Sequence, residues 1–204
     1  MKKTLTALIA SATLMLAGAA QAGVIGFENV ATGGDFSSLS DLNPYSGLNW
    51  SSDWYAGDNT IDGYGNAAHS GSNYAVNGFG SDGATISSDT GFNFSGAWFA
   101  TPAGGADKAT WVEIDAFDSD NHLIGSTGHV AIGDDYTWVG GAFTNVSSLI
   151  ITRDTGWYVM DDFTIADVVV PPADVPEPAT PLVLGIGAFA MVLGRVRARR
   201  KSAK

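Results

Sequence analysis

Residues 111–117 read Trp-Val-Glu-Ile-Asp-Ala-Phe, which puts Val112, Ile114 and Ala116 on one side of an extended chain and Glu113 and Asp115 on the other. That two-residue period describes a half-buried strand and no amphipathic helix. Asp118-Ser119-Asp120-Asn121 follows as a turn, since Asp and Asn bond nearby backbone and tolerate left-handed conformations. Residues 122–130 then form the return strand. Similar short apolar segments recur between Gly, Ser, Asn and Asp clusters, and long helical periodicity is absent. Strands are expected at 26–30, at 92–94 leading into 97–100, and at 138–143, 148–152 and 158–165. Residues 49–72 read as long loops, and 78–83 as a flexible glycine-rich connection. The class is all-β.

Size and charge narrow this further. The 148 residues from 23 to 170 suffice for one sizeable core and are short for two domains. With no cysteine in the chain, disulfides cannot hold that core. The same stretch contains nineteen acidic side chains against two basic ones, Lys108 and Arg153, a net charge of −17. Such a surface repels nucleic acid and anionic lipid and attracts divalent cations or basic partners.

The two ends differ in kind from the middle. Lys2 and Lys3, an apolar stretch at 5–17 and Ala20-Gln21-Ala22 have the order of a secretory signal peptide, so residues 1–22 are expected to be removed. At the other end, Pro176-Glu177-Pro178 precedes an apolar run at 181–194 and a basic cluster of Arg195, Arg197, Arg199, Arg200, Lys201 and Lys204. As a helix, fourteen residues reach roughly 21 Å against a hydrocarbon core of about 30 Å, a marginal anchor. The basic residues belong on the cytoplasmic side. Prolines 171, 172, 176 and 178 favour an extended spacer at 171–178, which leaves 179–204 as hydrophobic helix and basic tail.

Motif, short helix and basic end resemble the PEP-CTERM sorting tail of Gram-negative bacteria. The resemblance implies export through the inner membrane and transient anchoring there. It also implies cutting by an exosortase-type membrane protease, with the domain passing to the cell surface or extracellular matrix. A second resemblance covers the exported part. Phe27-Glu28-Asn29, Tyr45-Ser46-Gly47-Leu48-Asn49-Trp50, Ser70-Gly71-Ser72-Asn73-Tyr74-Ala75, the 116–126 hairpin and Asp161-Asp162-Phe163 are similar to domains often joined to such tails. Those domains are galactose-binding-like jelly rolls, so a jelly-roll-like β-sandwich is expected over 23–170.

No nucleophile constellation stands out. His69, His122 and His129 belong to no zinc motif, and no G-x-S-x-G elbow is present. Glu113 and Asp115 are the most suggestive carboxylate pair, and they read first as solvated outer-face residues. In a jelly roll the opening and closing strands are often neighbours, which would let Glu28 and Asp162 share a structural calcium ion. Trp50, Trp54, Tyr55 and Tyr64 fall among polar loop residues, where sugar rings could stack on them. Plugging the ends of the sandwich is the other explanation of these four. Trp98, Trp111, Trp138 and Trp157 read as core or strand-packing residues. The chain is thus expected to be a non-enzymatic, exported protein that contacts extracellular polysaccharide, as in a biofilm matrix. A purely structural matrix or adhesion protein and a glycoside hydrolase are the alternatives.

Overall fold

The computed structural model describes residues 23–65, 67–77, 83–104 and 107–166. They belong to one unit that runs to Val168, and a second unit begins at Val169. The expected leader at 1–22, most of the connection at 78–83, and the spacer, Pro176-Glu177-Pro178 motif and tail at 171–204 lie outside the described residues.

The described residues are all-β, with strands β1 (Gly23–Ile25), β2 (Ser37–Ser38), β3 (Asn49–Trp50), β4 (Trp54–Asp58), β5 (Asn73–Asn77) and β6 (Gly83–Ala100). After these come β7 (Trp111–Phe117), β8 (Leu123–Ser126), β9 (Val130–Ala131), β10 (Thr137–Val139), β11 (Phe143–Arg153) and β12 (Val159–Ala166). A 3₁₀ turn at Ser40–Leu42 interrupts the pattern.

β6 organises the rest. Its 18 residues would span roughly 60 Å if straight, more than the diameter of a domain this size. It therefore bends. Asp89 and Thr90 are exposed and Gly91 takes φ +74°, a conformation that suits glycine. Before the bend β6 pairs with β11 and β3 (Thr85 with Ile150, Ile86 with Trp50). After it, β6 pairs mainly with β12 and β10 (Trp98 with Asp161 and Trp138). The ladder β2-β4-β5-β12-β6-β11-β7-β8 thus folds into two layers that share one strand. This is the expected β-sandwich.

The inner faces of both layers meet in a single core. Val112, Ile114, Ala116, Leu149 and Ile151 come from one layer, and Phe99, Met160, Phe163 and Tyr158 from the other. Trp50 sits between them, edge-on to Phe27 at 5.5 Å, Trp54 at 5.6 Å and Phe163 at 5.8 Å. Its indole N–H donates to the Tyr45 carbonyl.

Several expectations need correction. Trp50 and Trp54 are 1% and 0% exposed, so they are core residues and offer no face to a sugar. The polar stretch around them hides two short strands, and the alternation of β4 turns Trp54 and Ala56 inward. The opening strand is β1 rather than 26–30, because Phe27 turns the chain with φ +62°. β5 was not expected at all. The 111–117 hairpin is where the sequence placed it, with the Asp118 carboxylate accepting N–H bonds from Asp120 and His122 and Asn121 at φ +61°. Its return strand is shorter than 122–130 and resumes as β9.

Candidate functional site

The outer face of the β5–β12–β6–β10 layer carries a row of side chains that alternation points away from the core: Tyr74, Val76, Val159, Ala100, Trp98 and Trp138. Residues 59–65 and 67–72 cross part of this row. Tyr64 stacks on Tyr74 at 5.7 Å and meets Phe36 edge-on at 5.2 Å. Ala67 is buried beneath, and the Tyr136 hydroxyl donates to its carbonyl. Tyr55 packs against the same cluster. The crossing ends at His69, whose ring lies on Trp98 at 4.4 Å and 15° and edge-on to Tyr136 at 4.9 Å. Beyond His69 the row is open. Trp138, edge-on to Trp98 at 5.4 Å, is 41% exposed.

Carboxylates pin the crossing segment from below. One oxygen of Asp161 accepts the N–H groups of His69 and Ser70, both at 2.9 Å, and the other accepts that of Asp162. A register shift in β12 and φ +49° at Asp162 bring the next carboxylate to the same segment. There Asp162 Oδ2 lies 2.7 Å from His69 Nδ1, and Oδ1 accepts the Ser70 hydroxyl at 2.6 Å. Glu28 Oε1 accepts the N–H groups of Ser72 and Asn73, both at 2.8 Å. The far end is held by Asp58, which accepts from Thr32, Gly34 and Thr60 and is held well below the usual carboxylate range, first by the Thr32 hydroxyl.

Asp161 is the unusual member. It is 0% exposed, and burial pushes it up to about 7 against the pull of its three N–H donors. Burial, with the Asp161 and Asp162 charges second, also raises the neighbouring Tyr136 hydroxyl.

Glu28 and Asp162 do reach one segment, but the atoms they meet there are hydrogen-bond donors. Calcium would need several oxygens free to converge. Among the described residues no group of three or more His, Asp or Glu side chains converges in that way.

Of the four expected sugar-stacking residues, Trp50 and Trp54 are core, while Tyr55 and Tyr64 are partly buried parts of the cover. The open rings are instead Trp138 and His69, with Trp98 partly exposed between them. Gly96 is the sequence signal that could have pointed to them. It takes φ +152°, and a side-chain carbon there would stand 2.4 Å from the Trp138 ring, so only glycine lets the indole lie over β6. The irregularity at Gly96 also shifts the alternation of β6, burying Ala97 and Phe99 and turning Trp98 outward.

Charge around the surface is one-sided. Lys108 is tied to Asp134 at 2.6 Å, and the Arg153 Nε donates to the Gly156 carbonyl at 2.6 Å.

No curated protein matches the chain. Several solved structures are similar to it at low identity. A DUF4465 family protein from Bacteroides caccae is 15% identical with a TM-score of 0.42, over 56% of this chain and 73% of that one. The CBM22-1–CBM22-2 tandem domain from Paenibacillus barcinonensis Xyn10C is 16% identical with a TM-score of 0.43, over 80% of this chain and 49% of that one. The CBM22-1 xylan-binding domain of the same protein is 13% identical with a TM-score of 0.37, over 60% and 86%. At these similarities no ligand passes from them to this chain. The tail is matched directly: residues 174–201 carry the PEP-CTERM protein-sorting motif, which marks the chain for export with a membrane-anchored signal processed by an exosortase.

Proposed function

We propose that the exported domain binds extracellular polysaccharide at the Trp98–Trp138 surface and performs no chemistry on it. The observation that carries this reading is the open Trp138 ring beside Trp98, at the edge of a segment held by carboxylates. The apolar C–H face of a sugar stacks on such a ring, while Asp162 and Ser70 nearby offer partners to its hydroxyl groups. A recess of about 350 Å³ beside Glu28, lined in part by Gly26, Phe27 and Tyr45, fits less well because both of its rings are buried. With nineteen acidic side chains against two basic ones, the domain selects a neutral or amine-bearing polymer over a uronate or sulfated one.

Binding without hydrolysis is supported by the carboxylates themselves. A glycoside hydrolase needs an acid with a raised pKa in contact with the scissile bond. Asp161 has the raised pKa, but it is fully buried and saturated with backbone donors. After export and processing, the domain works on the polymer at the cell surface or in the matrix.

Affinity electrophoresis in polysaccharide isolated from the producing cells tests the reading. Wild type is expected to be retarded, Trp138→Ala to be retarded less, and neither to release reducing sugar. Equal retardation of both proteins would remove the site, and release of reducing sugar would replace binding with hydrolysis.

A further inference from the structure

The outer face of the opposite layer repeats the same contacts. His129 lies flat on Trp111 at 3.6 Å and 10°, as His69 does on Trp98. His129 Nε2 is 3.2 Å from Glu113 Oε2, and Glu113 Oε1 accepts the Ser126 hydroxyl at 2.8 Å. Tryptophan, histidine, carboxylate and serine thus meet twice, each time with the carboxylate between the histidine and the serine. Chain order differs between the two sets, so neither copies the other as a sequence block.

The two sets look in opposite directions. Phe99, next to Trp98, and Val112, next to Trp111, are both fully buried in the one core. Alternation then points each tryptophan away from that core on its own side of the sandwich.

The second face is also shaped for an extended ligand. Trp111, Glu113, Asp115 and Phe117 follow one another on the outer side of β7, a strip of roughly 20 Å. Phe117 pairs with Leu123, which is 57% exposed, so apolar groups close one end of the strip while Trp111 and His129 close the other. Between them stand two carboxylates and the Ser126 hydroxyl. The His129 side chain is 60% exposed and presents its outer ring face to solvent. Rings at intervals with acceptors between them suit a chain of neutral or amine-bearing sugars, the chemistry inferred for the first surface.

We infer that the domain has a second polysaccharide site at Trp111, His129 and Glu113, so that one molecule joins two polymer chains. This rests on the first surface being a glycan site. A polymer repeats its epitope, so two sites facing apart convert weak single contacts into a cross-linked network.

The test uses the full-length chain and the extracellular polysaccharide of the producing cells, intact and cut to oligosaccharides. Calorimetry with the oligosaccharides is expected to give two equivalents for wild type and one each for Trp138→Ala and His129→Ala. Both variants should bind the intact polymer without raising its viscosity, which wild type should raise. Glu113→Gln, a near-isosteric surface change, should lower the second equivalent's affinity and guards against a folding artefact at His129. A wild type that binds one equivalent, lost in Trp138→Ala and unchanged in His129→Ala and Glu113→Gln, overturns the second site and leaves the first. Absence of binding by wild type removes both.

Discussion

Two pairs of tryptophans divide this molecule. Trp50 and Trp54 sit among Asn, Ser, Asp and Gly, and they are the centre of the core. Trp98 sits between buried Ala97 and Phe99 and Trp138 beside buried Val139, and the two lie on its outer surface. Local polarity of sequence therefore points the wrong way for both pairs. What decides the fate of each ring is the side of the strand it occupies, and that depends on pairing partners and on where the ladder slips.

The largest effect is expected from breaking the buried pair. Trp54→Ala should cost about 3–5 kcal/mol of unfolding free energy, as large-to-small changes at buried aromatics do. Urea denaturation measures it. Trp54→Phe should lose much less, since the Trp54 indole N–H lacks a hydrogen-bond partner among the described residues. A Trp54→Ala protein as stable as wild type would place that ring outside the core.

Asp161 sharpens the comparison because it is buried as deeply as the core yet faces the outer side. Its native pKa of about 7 lies above the ordinary value of 3.8. Between those values the folded protein keeps a proton that the unfolded chain has released, so this group's contribution is fully present below about pH 4 and is lost as pH rises through about 7. The slope is at most about 1.4 kcal/mol per pH unit for one proton. Stability measured from pH 4 to 8 should fall along this course in wild type, and the fall should flatten in Asp161→Asn. An unchanged slope in that variant would mean that Asp161 is ionised throughout.

The open pair comes next in size. Trp138→Ala should weaken polysaccharide binding by about 1–3 kcal/mol, by analogy with aromatic stacking on nucleic-acid bases, with the melting temperature nearly unchanged. A large drop in melting temperature would make Trp138 a packing residue like Trp54 and erase the distinction.

Calcium carries the smallest expectation. An ion shared by Glu28 and Asp162 would have to compete with the N–H bonds that Ser72 and Asn73 make to Glu28 and with the His69 and Ser70 contacts of Asp162. Melting temperatures in EDTA and in millimolar calcium should therefore agree. A rise with calcium that Asp162→Asn abolishes would restore the bridging ion.

The class of fold, the 111–117 hairpin and the meeting of the first strand with the last were all legible in the residues. Each rests on local information or on the general habit that first and last strands meet. β5 and the two strands around Trp50 and Trp54 were not. They are short, polar at their edges, and become strands because β6 pairs with β3, β12 pairs with β5, and β5 in turn pairs with β4.

By itself, the sequence determined the alternation of β7, the turn at Asp118, the absence of disulfides, the acidic surface and the sorting motif at 174–201. These follow from side-chain chemistry and near-neighbour spacing, which need no fold to act. Only the tertiary structure decided which tryptophans face water. The irregularity at Gly96 and the register shift at Asp162 each change which side of a strand the following residues occupy. A shift of one residue reverses inside and outside in a sheet, and its position is set by the partner strand rather than by the residues that carry the rings.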